Sequence, residues 1–60
     1  MFSDLQAQAR DIINQFPDLR EQVIDILEMA RDEIEDGGSQ TWVLEMAEDD
    51  LWGLVDRHIM

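Results

Sequence analysis

Residues 17–36 read PDLREQVIDILEMARDEIED, and their apolar side chains recur at the spacing of an α-helix. At 100° per residue these side chains share one face, so the stretch predicts a helix over 17–36 about 30 Å long. The face consists of Leu19, Val23, Ile26, Leu27, Ala30 and Ile34. Ile24 and Met29 flank it and widen the apolar surface beyond half the circumference, which is more than one neighbour covers. We therefore expect a second contact, to another helix or to another subunit.

A shorter helix is predicted before this stretch, over about residues 4–15. Ser3 followed by Gln6 has the form of a capping box, and Phe2 stands at the staple position before it. The apolar residues that follow recur at helical spacing: Leu5, Ala9, Ile12, Ile13 and Phe16. These signals place the start of the first helix just after Ser3.

Proline and glycine mark the two joints of the chain. Pro17 disfavours helical geometry at Phe16 and suits the first position of a new helix, so the first joint lies just before Pro17. Gly37 and Gly38 end the central helix, with Gly37 as its left-handed cap. Ser39 is placed to cap the helix that follows.

A third helix is predicted over about residues 40–58, and its continuity is open. As one helix it carries a shared apolar face: Val43, Leu44, Ala47, Leu51, Leu54 and Val55. The acidic triplet at 48–50 could instead cap a separate last helix, because carboxylates favour helix N-termini, and the two versions are equally supported. No run alternates with period two, so the fold class is all-α in either version: a bundle of three helices, the third continuous or split near 48–50.

Charge and composition restrict the class of protein. Four Arg, no Lys and fifteen acidic residues give a net charge of −11, while 45% of the residues are hydrophobic. The hydrophobic content predicts a folded single domain over 1–60 rather than disorder. No long apolar run or signal peptide is present, so we expect a cytoplasmic protein without membrane contact.

The few basic residues argue against direct binding of nucleic acid. Arg10, Arg20, Arg31 and Arg57 are spread along the chain beside acids, so they form no patch that neutralises several phosphates. Arg31 is within reach of Glu28 and Glu35 as an intrahelical ion pair. Direct partners are therefore expected to be basic or apolar proteins.

Self-association is expected because the core of so small a chain is limited. Without Cys there are no disulfides, and a single His leaves no zinc site, so packed helices or oligomerisation have to stabilise the fold. Together with the wide apolar face of the central helix, this predicts a homodimer.

An acidic repeat of seven residues runs through the central helix. Each copy begins with Asp and carries Glu three residues later. The six residues are Asp18, Glu21, Asp25, Glu28, Asp32 and Glu35. Alternating offsets of three and four make one stripe opposite the apolar face, with axial spacings of about 4.5–6 Å, similar to the phosphates of a nucleic-acid strand. The stripe predicts either a nucleic-acid mimic that docks on a basic protein groove or an ordinary solvated face.

The sequence argues against enzymatic activity, cofactors and metal. Paired acids at i and i+3 build metal sites in helical bundles only when they point inward, and these face away from the core. The stretch DEIEDGG, residues 32–38, lacks the spacing of a calcium loop. His58 is the only general-base candidate near neutrality, and we expect it to pack at a helix C-terminus near Asp56.

The aromatic residues and methionines complete the candidate set. Trp42 falls off the apolar face of the third helix, so it is the candidate for an exposed anchor in an interface. Trp52 is predicted to be core. Met29, Met46 and Met60 are interpreted as gap fillers.

DEIEDGGS at 32–39 and EMAEDDLWGLV at 45–55 resemble short acidic proteins encoded by bacteriophages. In those proteins a helix ends in GGS and the next carries acids among apolar residues. The resemblance implies a protein that binds and inhibits a host protein. The alternative is an acidic oligomerisation or antitoxin-like module that binds a basic partner through an apolar face.

Overall fold

Three α-helices make up the fold, and the predicted all-α class is confirmed. The computed structural model describes residues 2–59, which contain no strand. The helices are α1 (Phe2–Gln15), α2 (Arg20–Glu35) and α3 (Gln40–Ile59), with a 3₁₀ turn at Pro17–Leu19. The two end residues of the predicted domain, Met1 and Met60, lie outside the described part. None of the described helices combines the length and the hydropathy needed to cross a membrane.

The start of α1 differs from the prediction. The helix already includes Phe2, so Ser3 lies within its first turn and the predicted cap at Ser3 is wrong. Extending the helix to Phe2 packs that ring against the core, and this apolar contact favours the longer helix.

The joint between α1 and α2 lies at Phe16, as predicted, but α2 begins later than Pro17. Phe16 leaves the helical region, with φ −132° and ψ 76°, as expected for a residue before proline. The Leu19 amide donates to the Phe16 carbonyl at 2.9 Å, which closes a 3₁₀ turn. The α-helical part therefore starts at Arg20, three residues after the predicted start.

A glycine pair ends α2 in a Schellman motif. Gly37 has φ +100°, a conformation that side chains with a Cβ disfavour. Its amide donates to the Ile34 carbonyl at 3.2 Å, and the Gly38 amide donates to the Glu33 carbonyl at 2.8 Å. The predicted cap at Gly37 is confirmed.

α3 is continuous through residues 48–50, so the version with a break there is wrong. Ser39 immediately precedes the helix, and its carbonyl accepts the Val43 amide at 2.9 Å. Buried residues recur every four positions along it: Val43, Ala47, Leu51 and Val55. An uninterrupted helix keeps this whole row against the other two helices, whereas a break would turn the second half away.

The core is small and each helix contributes to it. Ile12, Val23 and Leu51 are the largest fully buried side chains, one from each helix. The core is completed by Leu5, Ala9, Leu19, Ala30, Val43, Ala47 and Val55. The surface measures 4542 Å², against about 4,000 Å² for a typical monomer of this mass. The homodimer stays a prediction.

Added salt is expected to raise the melting temperature. The chain has fifteen acidic residues and only four Arg, so its carboxylates repel one another. Salt screens this repulsion, because the Debye length falls from about 30 Å at 0.01 M to about 3 Å at 1 M. Thermal melts followed by circular dichroism across this range test it. The control is a chain with Asp11→Asn, Glu45→Gln and Asp56→Asn, whose smaller charge should respond less. A melting temperature that falls with salt would show that the acids are individually paired.

Candidate functional site

The interior offers no chemistry on which to build a site. Among residues 2–59 no polar or charged side chain is buried, and no group of three His, Asp or Glu side chains is arranged to hold a metal ion. His58 packs edge-on against Phe16, with 5.2 Å between ring centroids and 68° between ring planes. Because Phe16 directly follows the last residue of α1, His58 lies near the C-terminal end of that helix. The candidate sites are surfaces.

The first surface is the acidic stripe, the six predicted residues Asp18, Glu21, Asp25, Glu28, Asp32 and Glu35. All six are exposed. Five lie on α2, and Asp18 lies on the 3₁₀ turn before it. Because the buried residues of α2, Val23 and Ala30, occupy the opposite side of the helix, the stripe faces solvent over about 25 Å.

Little within α2 neutralises this stripe. Arg31 donates to the Glu35 carboxylate at 3.3 Å, but both side chains are more than half exposed, so the pair contributes a few tenths of a kcal/mol. The last turn of α2 holds Asp32, Glu33 and Glu35 and contains no basic residue. Negative charges at a helix C-terminus oppose the helix dipole, so these acids lower the stability of α2.

The two tryptophans lie on different sides of α3. Trp42 is 58% exposed, in agreement with its predicted place off the apolar face. Trp52 is 49% exposed, so the prediction that it belongs to the core is wrong. Its indole N–H donates to the Gln8 side-chain oxygen at 2.9 Å. This bond between α3 and α1 holds the ring over the edge of the bundle instead of inside it.

The methionines form part of a surface that the sequence did not predict. Met29 is 65% exposed and Met46 is 48% exposed, so the interpretation of both as gap fillers is wrong. Both line a groove between α2 and α3, together with Trp42. The available signal was the four-residue spacing of Trp42 and Met46, which puts them one turn apart along one flank of the buried residues Val43 and Ala47.

We call this surface the α2–α3 groove. It exists because the residues at its base are smaller than those along its sides. The complete lining is Ile26, Met29, Ala30 and Glu33 of α2, with Trp42, Val43, Met46, Ala47 and Asp50 of α3. Small buried residues, Ala30, Val43 and Ala47, form the floor. Larger exposed side chains rise on both sides. Its volume is about 250 Å³, slightly below the range usual for small-molecule sites.

The stripe and the groove adjoin each other at Met29. Asp25 and Asp32 lie four residues before it and three after it, which makes them its neighbours on the helix surface. One partner can therefore contact carboxylates and apolar side chains together. Comparison with protein-family models, with curated proteins and with solved structures found no match to this chain.

Proposed function

We propose that this chain is a non-catalytic binding protein that docks the acidic stripe of α2 on a basic groove of another protein. The partner's groove is one that otherwise binds nucleic acid. The chain therefore acts as a nucleic-acid mimic and inhibits the partner. The resemblance to short acidic phage proteins gives the setting, a host cytoplasm with a host protein as the target.

The observation that carries this proposal is that all six acids are exposed in one line, on the solvent side of α2 and of the turn before it. Like charges at offsets of three and four repel one another along a helix, and acids in its last turn oppose the dipole. Solubility alone is satisfied by acids placed anywhere on the surface. A line that costs local stability favours a binding role over a merely solvated face.

The positions of the basic residues support a protein partner over nucleic acid. All four Arg are exposed: Arg10 lies on α1, Arg20 and Arg31 lie on α2 about 16 Å apart along its axis, and Arg57 lies on α3. Arg31 is engaged with Glu35, and Arg57 donates to the Gly53 carbonyl at 3.3 Å. A phosphate backbone would meet mostly carboxylates on every helix.

Neutralising the stripe is expected to abolish partner binding and leave the fold intact. The test chain carries Asp25→Asn, Glu28→Gln and Asp32→Asn, and the matched control carries Asp11→Asn, Glu45→Gln and Asp56→Asn. Both lose three charges, and all six positions are exposed. Each chain is immobilised and used to capture proteins from nuclease-treated bacterial lysate, with helicity checked by circular dichroism.

We expect the wild type and the control to capture nucleic-acid-binding proteins and the stripe variant to capture none. Because a basic groove attracts the carboxylates through Coulomb forces, retention should also weaken as salt is raised. Equal loss from both variants would show that only net charge matters and would contradict docking through the stripe.

The second candidate function is an antitoxin-like module that binds a basic partner through an apolar face. The α2–α3 groove favours it, because Trp42, Met29 and Met46 are exposed together there. In the same capture assay Trp42→Ala separates the two functions. It should have little effect if the stripe alone docks and a severe effect if the apolar face does.

A further inference from the structure

We propose that the α2–α3 groove is the docking site of a basic amphipathic α-helix supplied by another protein. This inference deepens the second candidate function and does not depend on docking through the acidic stripe. It rests on the apolar walls of the groove, on their spacing and on the charges at its edge.

The walls have the composition of an adaptable binding surface. Met29, Trp42 and Met46 are each about half exposed or more, and all three line the same groove. Unbranched Met side chains adjust to the shape of what they contact, while Trp buries a large rigid area at low entropic cost. An exposed cluster of this kind on a small chain indicates an interaction site.

The spacing of the walls fits a helix. Trp42 and Met46 are four residues apart on α3, which is about 6 Å along its axis, and Met29 stands across the groove on α2. A docked helix presents its apolar side chains at i, i+3, i+4 and i+7, one turn of about 5.4 Å apart. The apolar side chains of such a helix therefore repeat along its axis at nearly the same interval as Trp42 and Met46.

The charges of the groove select a basic helix over a second copy of this chain. Glu33 lines the α2 side and Asp50 the α3 side, and both are exposed. A second copy on this groove would bring the same carboxylates into the interface, on a chain whose net charge is −11. Like charges across an interface disfavour association, whereas Lys or Arg flanking an apolar face complement these acids.

The test uses the whole chain with Trp52→Phe, so that Trp42 is the only fluorescent reporter. The probe is a synthetic peptide of about 18 residues made of Leu and Lys, with Leu at helical spacing. Its control is a scrambled peptide of the same composition that has no apolar face. Isothermal titration of the wild-type chain gives the affinity without any substitution. Binding should shift Trp42 emission to shorter wavelength, and the affinity for the amphipathic peptide should exceed that for the scrambled one by about tenfold or more.

Matched substitutions locate the binding. Met46→Gln should weaken peptide binding by about tenfold because it removes apolar contact from the wall, while Ile59→Gln, at a position 68% exposed outside the groove, should not. Glu33→Gln with Asp50→Asn should reduce the salt dependence of binding more than Glu45→Gln with Asp11→Asn.

Three results would overturn the proposal. They are equal affinity for the scrambled peptide, an unchanged Trp42 emission on binding, and a dimer in sedimentation equilibrium that Met46→Gln dissociates. The last would show that the groove holds a second copy. If the capture assay contradicts docking through the acidic stripe, the peptide measurements are unaffected. Each proposal can therefore be rejected without the other.

Discussion

Replacing Leu51 with Ala is expected to lower the free energy of unfolding by about 2–5 kcal/mol. Leu51 is 0% exposed and lies in the middle of the buried row of α3. Among residues 2–59, three of the ten buried hydrophobic residues are alanines, so the neighbours have little side chain with which to fill the cavity. A domain of this length has about 3–9 kcal/mol of stability in total. We therefore expect Leu51→Ala to lose a large fraction of the stability of the fold and to unfold at much lower urea than the wild type.

Urea denaturation followed by circular dichroism measures this loss. Ile59→Ala is the matched control, because it removes the same number of carbon atoms from a side chain that is 68% exposed. The control should change the free energy of unfolding by no more than about 0.5 kcal/mol. Equal costs at the two positions would contradict the described core.

Gly38→Ala is expected to lower the free energy of unfolding by about 1–3 kcal/mol. A methyl group there would lie 2.8 Å from the Glu33 carbonyl oxygen, which itself accepts the Gly38 amide. Because the obstacle is backbone, the turn between α2 and α3 has to open to admit it. The same urea titration measures the change.

The same substitution at Gly53 should have the opposite sign. Gly53 lies inside α3 and nothing stands within 4 Å of the position a methyl group would take. Ala loses less backbone entropy than Gly in a helix, so Gly53→Ala should raise the free energy of unfolding by about 0.5–1 kcal/mol. A loss at Gly53, or no cost at Gly38, would contradict the geometry of α3 and of the turn before it.

Helices and joints were predictable because their signals are local. The apolar period of α2, the proline after Phe16 and the glycine at position 37 each restrict only the backbone near them. The continuity of α3 was not predictable in this way. The acids at 48–50 suit a helix N-terminus locally, and only the row from Val43 to Val55 packing on the other helices favours the unbroken helix.

The α2–α3 groove was missed because its existence depends on how two helices pack. Periodicity identifies which side chains share a face, but not how far apart the neighbouring helix lies. The sequence alone therefore allows Met29 and Met46 to be buried. They line the walls of the α2–α3 groove because small residues of α2 and α3 pack against each other beneath them. Trp52 is similar, since its partner Gln8 is 44 positions away in the chain.

The acidic stripe was fully predictable, and its role is the part that needs experiment. A 16-residue α2 carries five of the six acids and a last turn that opposes its own dipole. Such a helix gives up stability for surface charge.

Displacement by duplex DNA tests the mimicry proposal most directly. A partner captured through the acidic stripe is mixed with the fluorescently labelled chain, and unlabelled duplex DNA is titrated while anisotropy is recorded. The account predicts that DNA and the chain exclude each other, so the anisotropy falls to that of the free chain. Simultaneous binding, with anisotropy that stays high or rises as DNA is added, would contradict it.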